Sequence, residues 1–156
     1  ASAAFTENDT HTLNRWNDLI LANRETRELL LEDQQIGAAL WRLLGQLGIP
    51  GLPALERPPA YALAFGVAAA AWSIDAEDAC AGYCYSWIEN QITAATKLVP
   101  LGQSAAQRLL LRILEEVEAA CRDAREVGDE AIGLSLPRLA AASCRHEHQH
   151  TRLFRS

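Results

Sequence analysis

Residues 25–48 read ETRELLLEDQQIGAALWRLLGQLG, and their pattern of apolar and polar residues indicates a helical fold. Leucine and isoleucine recur three and four residues apart, which is the spacing of one face of an α-helix, and the other face carries Glu, Arg, Asp and Gln. Glycine is typical of the position just after a helix, and Gly48 stands there. The stretch therefore predicts a long amphipathic helix from about Glu25 to Leu47.

The composition extends this prediction to the whole chain. Its 156 residues include 28 Ala and 23 Leu but only 12 Val and Ile, and Ala and Leu favour helices whereas β-branched residues favour strands. We therefore predict an all-α fold, a single-domain bundle of about six helices over residues 1–156, with residues 1–8 frayed. Of the other predicted helices, the first has Asp9 or Thr10 as its cap. Three more run from Pro59 to about Trp72, from Asp75 to Leu98 and from about Ser104 to Arg125. The last begins near Leu136, where Ser135 is a candidate cap.

Two segments predict how the bundle is connected. Four prolines between residues 48 and 60 indicate a stiff connector. The helix after them, residues 59–72, is rich in Ala on every side, which is typical of a buried helix.

Charge and cysteine usage narrow the function classes. The net charge of −6 argues against a protein that coats nucleic acid, which would carry a basic stripe. The longest apolar stretch, residues 61–72, is shorter than the roughly 20 residues that span a bilayer. None of the four cysteines forms a Cys-x-x-Cys pair, so we interpret them as reduced core thiols, with Cys80 and Cys84 on one face of a helix. We expect a cytoplasmic protein that binds neither nucleic acid nor membrane.

The segment 146–150, HEHQH, matches the H-E-x-x-H pattern of zinc enzymes. A catalytic zinc needs a third protein ligand, and residues 151–156 offer no His, Asp or Glu. A di-iron site in a helix bundle needs two Glu-x-x-His pairs and a single Glu on each of two other helices. Only Glu147 with His150 has the Glu-x-x-His spacing. Two interpretations of this segment therefore stay open. It is either a solvated helix end, or part of a small helical metal-binding protein or metalloenzyme that uses His146, Glu147 and His150.

Two other stretches combine side chains that are common at protein interfaces. Residues 85–91 (YSWIENQ) lead to residues 97–103 (KLVPLGQ), where aromatic, amide and Lys side chains precede a helix break. The tail, residues 152–156 (RLFRS), sets two Arg beside two apolar side chains. Arg and aromatic residues are enriched at interfaces, so these stretches predict partner-binding surfaces. The alternative for the first stretch is a packed helix–turn–helix, and the alternative for the tail is a solvated chain end.

These stretches resemble the urease accessory protein UreF family. The resemblance runs from about residue 13 to the end, and the KLVP block together with the RLFRS ending makes it specific. The further matching segments are Arg24-Glu25-Thr26 with Glu28, Asp129-x-x-Ile132-Gly133, and residues 142–147.

The resemblance implies a non-catalytic, all-helical, dimeric scaffold without catalytic residues, metal ligands or cofactors. Such proteins form a complex with the accessory protein UreD (UreH in some species) and the GTPase UreG, which serves nickel insertion into apo-urease. Whether the scaffold also modulates GTP hydrolysis stays open. The family domain begins with further N-terminal helices, and a chain with no Met that opens Ala1-Ser2 is expected to lack them.

The resemblance also implies two sets of partner-binding residues. The set expected to contact the UreD/UreH-type partner consists of Arg145 and the tail residues Arg152, Phe154 and Arg155. The set expected to form the surface for the UreG-type GTPase consists of Glu89, Lys97, Pro100 and Gln103.

Overall fold

The computed structural model describes residues 2–133 and 136–150, and the regular structure of these residues is helical throughout. The predicted all-α class is therefore confirmed. The described residues divide into two compact units. Unit 1 contains α1 (Ser2–Thr6), α2 (Thr10–Ala22), α3 (Arg27–Gln46), α4 (Tyr61–Ala71) and α8 (Pro137–Glu147). Unit 2 contains α5 (Ala76–Leu98), α6 (Gln103–Leu114), α7 (Val117–Glu126) and a short 3₁₀ turn, Asp129–Ala131.

Side-chain caps fix where two helices begin, as the sequence predicts. The Asp9 carboxylate accepts a hydrogen bond of 3.0 Å from the backbone N–H of Thr12 in the first turn of α2. The Asp75 carboxylate accepts two bonds of 2.9 Å, from the backbone N–H groups of Glu77 and Asp78. Each bond satisfies a first-turn donor that has no partner within its own helix.

The core of unit 1 forms where α3 and α4 pack closely. Leu44, Leu63 and Val67 are fully buried in it, which confirms that the Ala-rich helix is a buried one. A Cβ added at Gly37 would collide with the carbonyl oxygen of Pro59 and would lie 2.7 Å from the carbonyl carbon of Ala60. Only glycine therefore lets α3 approach the start of α4 this closely.

A buried asparagine holds the proline-rich connector against α2. The side chain of Asn17, 1% exposed, donates a hydrogen bond of 3.1 Å to the carbonyl oxygen of Pro58. Its own oxygen accepts a bond of 2.7 Å from the backbone N–H of Ala60. A buried amide is tolerated because its polar atoms find partners.

Unit 2 packs α6 and α7 onto α5. Its core includes Ile88 and Ile92 of α5, Leu110 of α6 and Cys121 of α7. The prediction of one helix from Ser104 to Arg125 is wrong, because the chain breaks between Leu114 and Val117.

At the break, the backbone N–H of Glu116 bonds to the carbonyl of Ile113 at 3.1 Å, three residues back, instead of the fourth. The apolar stripe of residues 109–121 is continuous in the sequence, so nothing in its spacing marks the bend. The bend allows apolar residues of both α6 and α7 to be buried in one core with α5.

Two further differences from the sequence predictions concern the first residues and a thiol. Helix α1 and the buried side chain of Ala4 occupy a segment expected to be frayed. Cys144 is exposed and is not a core thiol. Helix α8 has no side-chain cap at Leu136, and the expected cap Ser135 lies outside the described residues. None of the described helices has both the length and the apolar character needed to cross a membrane.

Candidate functional site

Two of the motif segments, more than a hundred residues apart in sequence, meet where α3 begins. The hydroxyl of Thr26 caps α3 by accepting a bond of 3.3 Å from the backbone N–H of Leu29. The same hydroxyl lies 2.7 Å from the hydroxyl of Ser143 in α8. Thr26 is buried, so the cap of α3 is also a packing contact with α8.

Two adjacent residues of α8 contact Glu28 in the first turn of α3. Nδ1 of His146 and Oε2 of Glu28 are 2.8 Å apart, and the carboxylate is the acceptor. The carboxylate of Glu147 accepts a bond of 3.3 Å from the backbone N–H of Glu28. A negative charge at this point is favourable, because the first turn of a helix carries unsatisfied N–H groups and the positive end of the helix dipole.

Further polar contacts flank this junction. The backbone N–H of Leu136, just before α8, donates a bond of 3.2 Å to the carboxylate of Glu25. Arg24 pairs with the buried carboxylate of Asp33 in α3 at 3.0 Å. We call residues 24–28 together with residues 136–147 the α3–α8 junction. It holds α8, the helix that leads to the chain's C-terminal tail, against α3.

The junction also bears on the H-E-x-x-H interpretation. Helix α8 ends at Glu147 and has His148 as its C-terminal cap, so His150 lies beyond the helix and does not share its face with His146. Both His146 and Glu147 bond to Glu28. Within the described residues, none of these histidines belongs to a cluster of three metal-ligand side chains.

The other motif segment forms the turn between α5 and α6. Val99 leaves α5 in an extended conformation, and the backbone N–H of Leu101 returns to the Val99 carbonyl at 2.6 Å, so that Pro100 sits at the centre of a three-residue turn. Lys97 lies in the last turn of α5 and Gln103 opens α6. Proline suits this position because the turn uses no backbone N–H donor there and because the φ of proline is already restricted.

This α5–α6 turn and the helix that leads to it are strongly exposed. Glu89, Lys97, Pro100 and Gln103 all face solvent in unit 2. Large apolar side chains accompany them, and their exposed fractions are 45% for Tyr85, 52% for Trp87, 63% for Leu98 and 52% for Val99. Single exposed apolar residues are common on protein surfaces, whereas a concentration along one segment is typical of an interaction site.

The tail set is only partly described. Arg145 is exposed on α8, next to the His146 side chain that bonds to Glu28. Arg152, Phe154 and Arg155 lie outside the described residues.

A cluster of three thiols in unit 2 was not predicted as a group. Cys80 and Cys84 share a face of α5, as expected, and the structure adds Cys121 of α7. Burial, and then the neighbouring Cys121 and Cys84 thiols, raise the pKa of Cys80 to about 12. The pKa of Cys84 is also raised, first by burial. The i, i+4 spacing of the first two was visible in the sequence, but nothing there indicated that Cys121 joins them.

Comparison with known proteins identifies the family to which this helical chain belongs. A model of the UreF family matches residues 1–114. The chain is 49% identical over 145 residues to the urease accessory protein UreF of Teredinibacter turnerae, an alignment that covers 92% of this chain and 66% of that protein. It is 46% identical over 154 residues to the urease accessory protein UreF of Chromohalobacter salexigens, with 98% and 67% covered.

These matches place this all-helical chain among proteins named urease accessory protein. More narrowly, the chain belongs to the UreF family. The resemblance drawn from the motifs is thereby confirmed. The chain spans about two thirds of the length of these curated relatives.

Proposed function

We propose that this chain acts as a non-catalytic scaffold in urease maturation, as a cytoplasmic dimer. In this role it binds a UreD/UreH-type protein and a UreG-type GTPase in one complex, from which nickel enters apo-urease. The observation that carries the proposal is membership of the UreF family, with identities of 49% and 46% to proteins named urease accessory protein UreF.

The arrangement of the exposed residues supports the GTPase side of the proposal. Glu89, Lys97, Pro100 and Gln103 follow one another along α5, its closing turn and the start of α6, and all are exposed. Charged and amide groups beside exposed aromatic residues suit a surface with apolar anchors and a polar rim. Lys97 has a further role within α5, since a cation in the last turn is favoured by the helix dipole.

The α3–α8 junction supports the UreD/UreH side of the proposal. Hydrogen bonds between Glu28 and the side chains of His146 and Glu147 hold the end of α8 against α3. The tail residues Arg152, Phe154 and Arg155 continue the chain a few positions later. A fixed helix end lowers the entropy that the tail loses on binding a partner.

Capture of purified partners tests the tail. The affinity-tagged full chain is mixed with the UreD/UreH-type protein, and the dissociation constants of Phe154→Ala and Arg152→Ala are compared with that of the unmodified chain. An interface anchor contributes about 2 kcal/mol, which corresponds to about a 30-fold loss of affinity. His150→Ala is the matched control and should bind normally. Normal binding by both tail variants, and by a chain lacking residues 152–156, would contradict the tail assignment.

The same design tests the α5–α6 turn with the UreG-type GTPase. Lys97→Ala and Gln103→Ala should weaken capture of the GTPase while leaving binding of the UreD/UreH-type protein unchanged. Arg122→Ala is the control for Lys97→Ala, because Arg122 is also a cation of unit 2 with a side chain 66% exposed, on α7. Equal losses for Lys97→Ala and Arg122→Ala would mean that net charge, and not this turn, governs the contact.

A further inference from the structure

Three cysteine thiols converge between two helices of unit 2. Cys80 and Cys84 lie one turn apart on α5, and Cys121 lies on α7. Their sulfur atoms all lie within 4.8 Å of one another. Within residues 2–133 and 136–150, this is the one group of three His, Cys, Asp or Glu side chains close enough to share a metal ion.

The spacing suits metal coordination. A tetrahedral site with metal–sulfur bonds of about 2.3 Å places its sulfur atoms about 3.8 Å apart. The thiols are therefore within about 1 Å of that separation, which small rotations of the side chains can supply. Soft thiolate ligands select ions such as Zn²⁺ and Cu⁺ over ions that prefer oxygen ligands.

The surroundings combine a dry interior with access from solvent. Cys121 is buried at 2% exposure, and Ile88, Leu110 and Val117 belong to the same apolar core. Cys84 also lines a surface cleft of about 380 Å³. An ion can therefore reach the thiols without unfolding of the unit.

An ion pair also joins the two helices that carry the thiols. Arg125 of α7 lies 3.3 Å from the carboxylate of Glu77 in α5. Glu77 precedes Cys80 by three residues, and Arg125 follows Cys121 by four. Both side chains are more than half exposed, so the pair adds little stability by itself, but it joins the same two helices one turn beyond the thiols.

We propose that Cys80, Cys84 and Cys121 form a three-thiolate site for a thiophilic metal ion of the Zn²⁺ or Cu⁺ type. Three protein ligands leave a fourth position of a tetrahedral Zn²⁺ free for water or an exchangeable donor, as in zinc sites that act on other molecules, whereas Cu⁺ is satisfied by the three thiolates. The site goes beyond the proposed scaffold role and does not depend on it, because it uses residues outside both partner-binding sets.

Binding is coupled to proton release. Without the ion, the raised pKa values keep Cys80 and Cys84 as neutral thiols near neutral pH. Each thiol gives its proton to the solvent when its sulfur bonds to the metal. Affinity for the ion therefore rises with pH.

A competition titration tests the site. The reduced, metal-free full chain is titrated with Zn²⁺ against a chromophoric chelator, and separately with Cu⁺ under anaerobic conditions. One ion per chain is expected for at least one of the two metals. Cys80→Ser and Cys84→Ser should each lower that affinity by about 100-fold, and Co²⁺ as a substitute for Zn²⁺ should show sulfur-to-metal charge-transfer absorption that is weaker in these variants.

Two matched controls keep the result specific. Cys144→Ser removes the exposed thiol of α8, and the double variant His148→Ala/His150→Ala removes two imidazoles near the chain end. Both should bind the ion normally. Cys80 and Cys84 are only partly buried, so their Ser variants should fold, which circular dichroism checks. The proposal is overturned if neither metal binds at one ion per chain, or if folded Cys80→Ser and Cys84→Ser retain full affinity.

Discussion

Nδ1 of His146 lies 2.8 Å from Oε2 of Glu28, and this bond joins two residues 118 positions apart in the sequence. It links the last turn of α8 to the first turn of α3. Glu28 is the more buried partner, with its side chain 16% exposed against 39% for His146. The contact therefore gives a structural role to His146, the first histidine of the segment that matches the H-E-x-x-H zinc pattern.

Replacing His146 should therefore lower the stability of unit 1. His146→Ala leaves a largely buried carboxylate without this donor, and the expected loss in the free energy of unfolding is about 1–2 kcal/mol. Urea unfolding measures the loss. His148→Ala changes an exposed residue and should stay within about 0.5 kcal/mol of the unmodified chain. Equal stability of the two variants would show that the bond contributes nothing.

The two glycines of α3 should respond oppositely to alanine. Gly37→Ala places a methyl group against the backbone of Pro59 and Ala60, so helices α3 and α4 must separate, and we expect a loss of about 2 kcal/mol or more. At Gly45 the nearest atom to an added Cβ is 3.9 Å away, so Gly45→Ala should stabilise the helix by about 0.5–1 kcal/mol. Thermal unfolding of both variants compares the signs. A harmless Gly37→Ala would refute the close approach.

Asn17 should be required for the path of the proline-rich connector. Asn17→Leu keeps the side-chain volume but leaves the backbone N–H of Ala60 and the carbonyl of Pro58 without their partner. Each buried polar group left unsatisfied costs about 1–3 kcal/mol. Urea unfolding should show this loss for Asn17→Leu and almost none for the exposed Asn90→Leu. Similar values for the two would contradict the role of Asn17.

The thiol cluster predicts a loss of stability in alkaline solution. The pKa of Cys80 is raised from its ordinary 9.0 to about 12 by burial and its neighbouring thiols. Above pH 9 the unfolded chain loses this proton while the folded chain keeps it, so the stabilising contribution is complete below pH 9 and is lost as pH rises towards 12.

Urea unfolding of the metal-free chain between about pH 8 and about pH 10.5 measures this effect. Cys80→Ala should show a smaller fall in stability over that interval than the unmodified chain. Parallel curves for the two proteins would mean that the Cys80 thiol titrates alike in the folded and unfolded states.

Local features of this fold could be predicted from the sequence because their causes are local. Asp9 and Asp75 are capping residues next to helical patterns, and both cap the helices that follow. The Ala-rich segment is apolar on all sides and is buried as α4. The exposure of Lys97 and Gln103 likewise follows from their own charged and amide side chains, which lie on either side of the break at Pro100.

The features that sequence reasoning missed depend on contacts between distant residues. No periodicity links Glu28 to His146, or Cys84 to Cys121, because each pair is brought together only by the packing of whole helices. The bend at Glu116 was missed for a related reason. The apolar stripe runs through it without interruption, and the break becomes apparent only where residues of α6 and α7 are buried in one core with α5.

If this chain joins two partners in one complex, a complex reconstituted from purified proteins must depend on it. Size-exclusion chromatography with light scattering is applied to the UreD/UreH-type protein and the UreG-type GTPase, with and without the full chain. We expect the two partners to co-elute as one complex only when the chain is present, and we expect Lys97→Ala to lose the GTPase while it keeps the UreD/UreH-type protein. Co-elution of the partners without the chain, or a chain that binds neither partner, would contradict it.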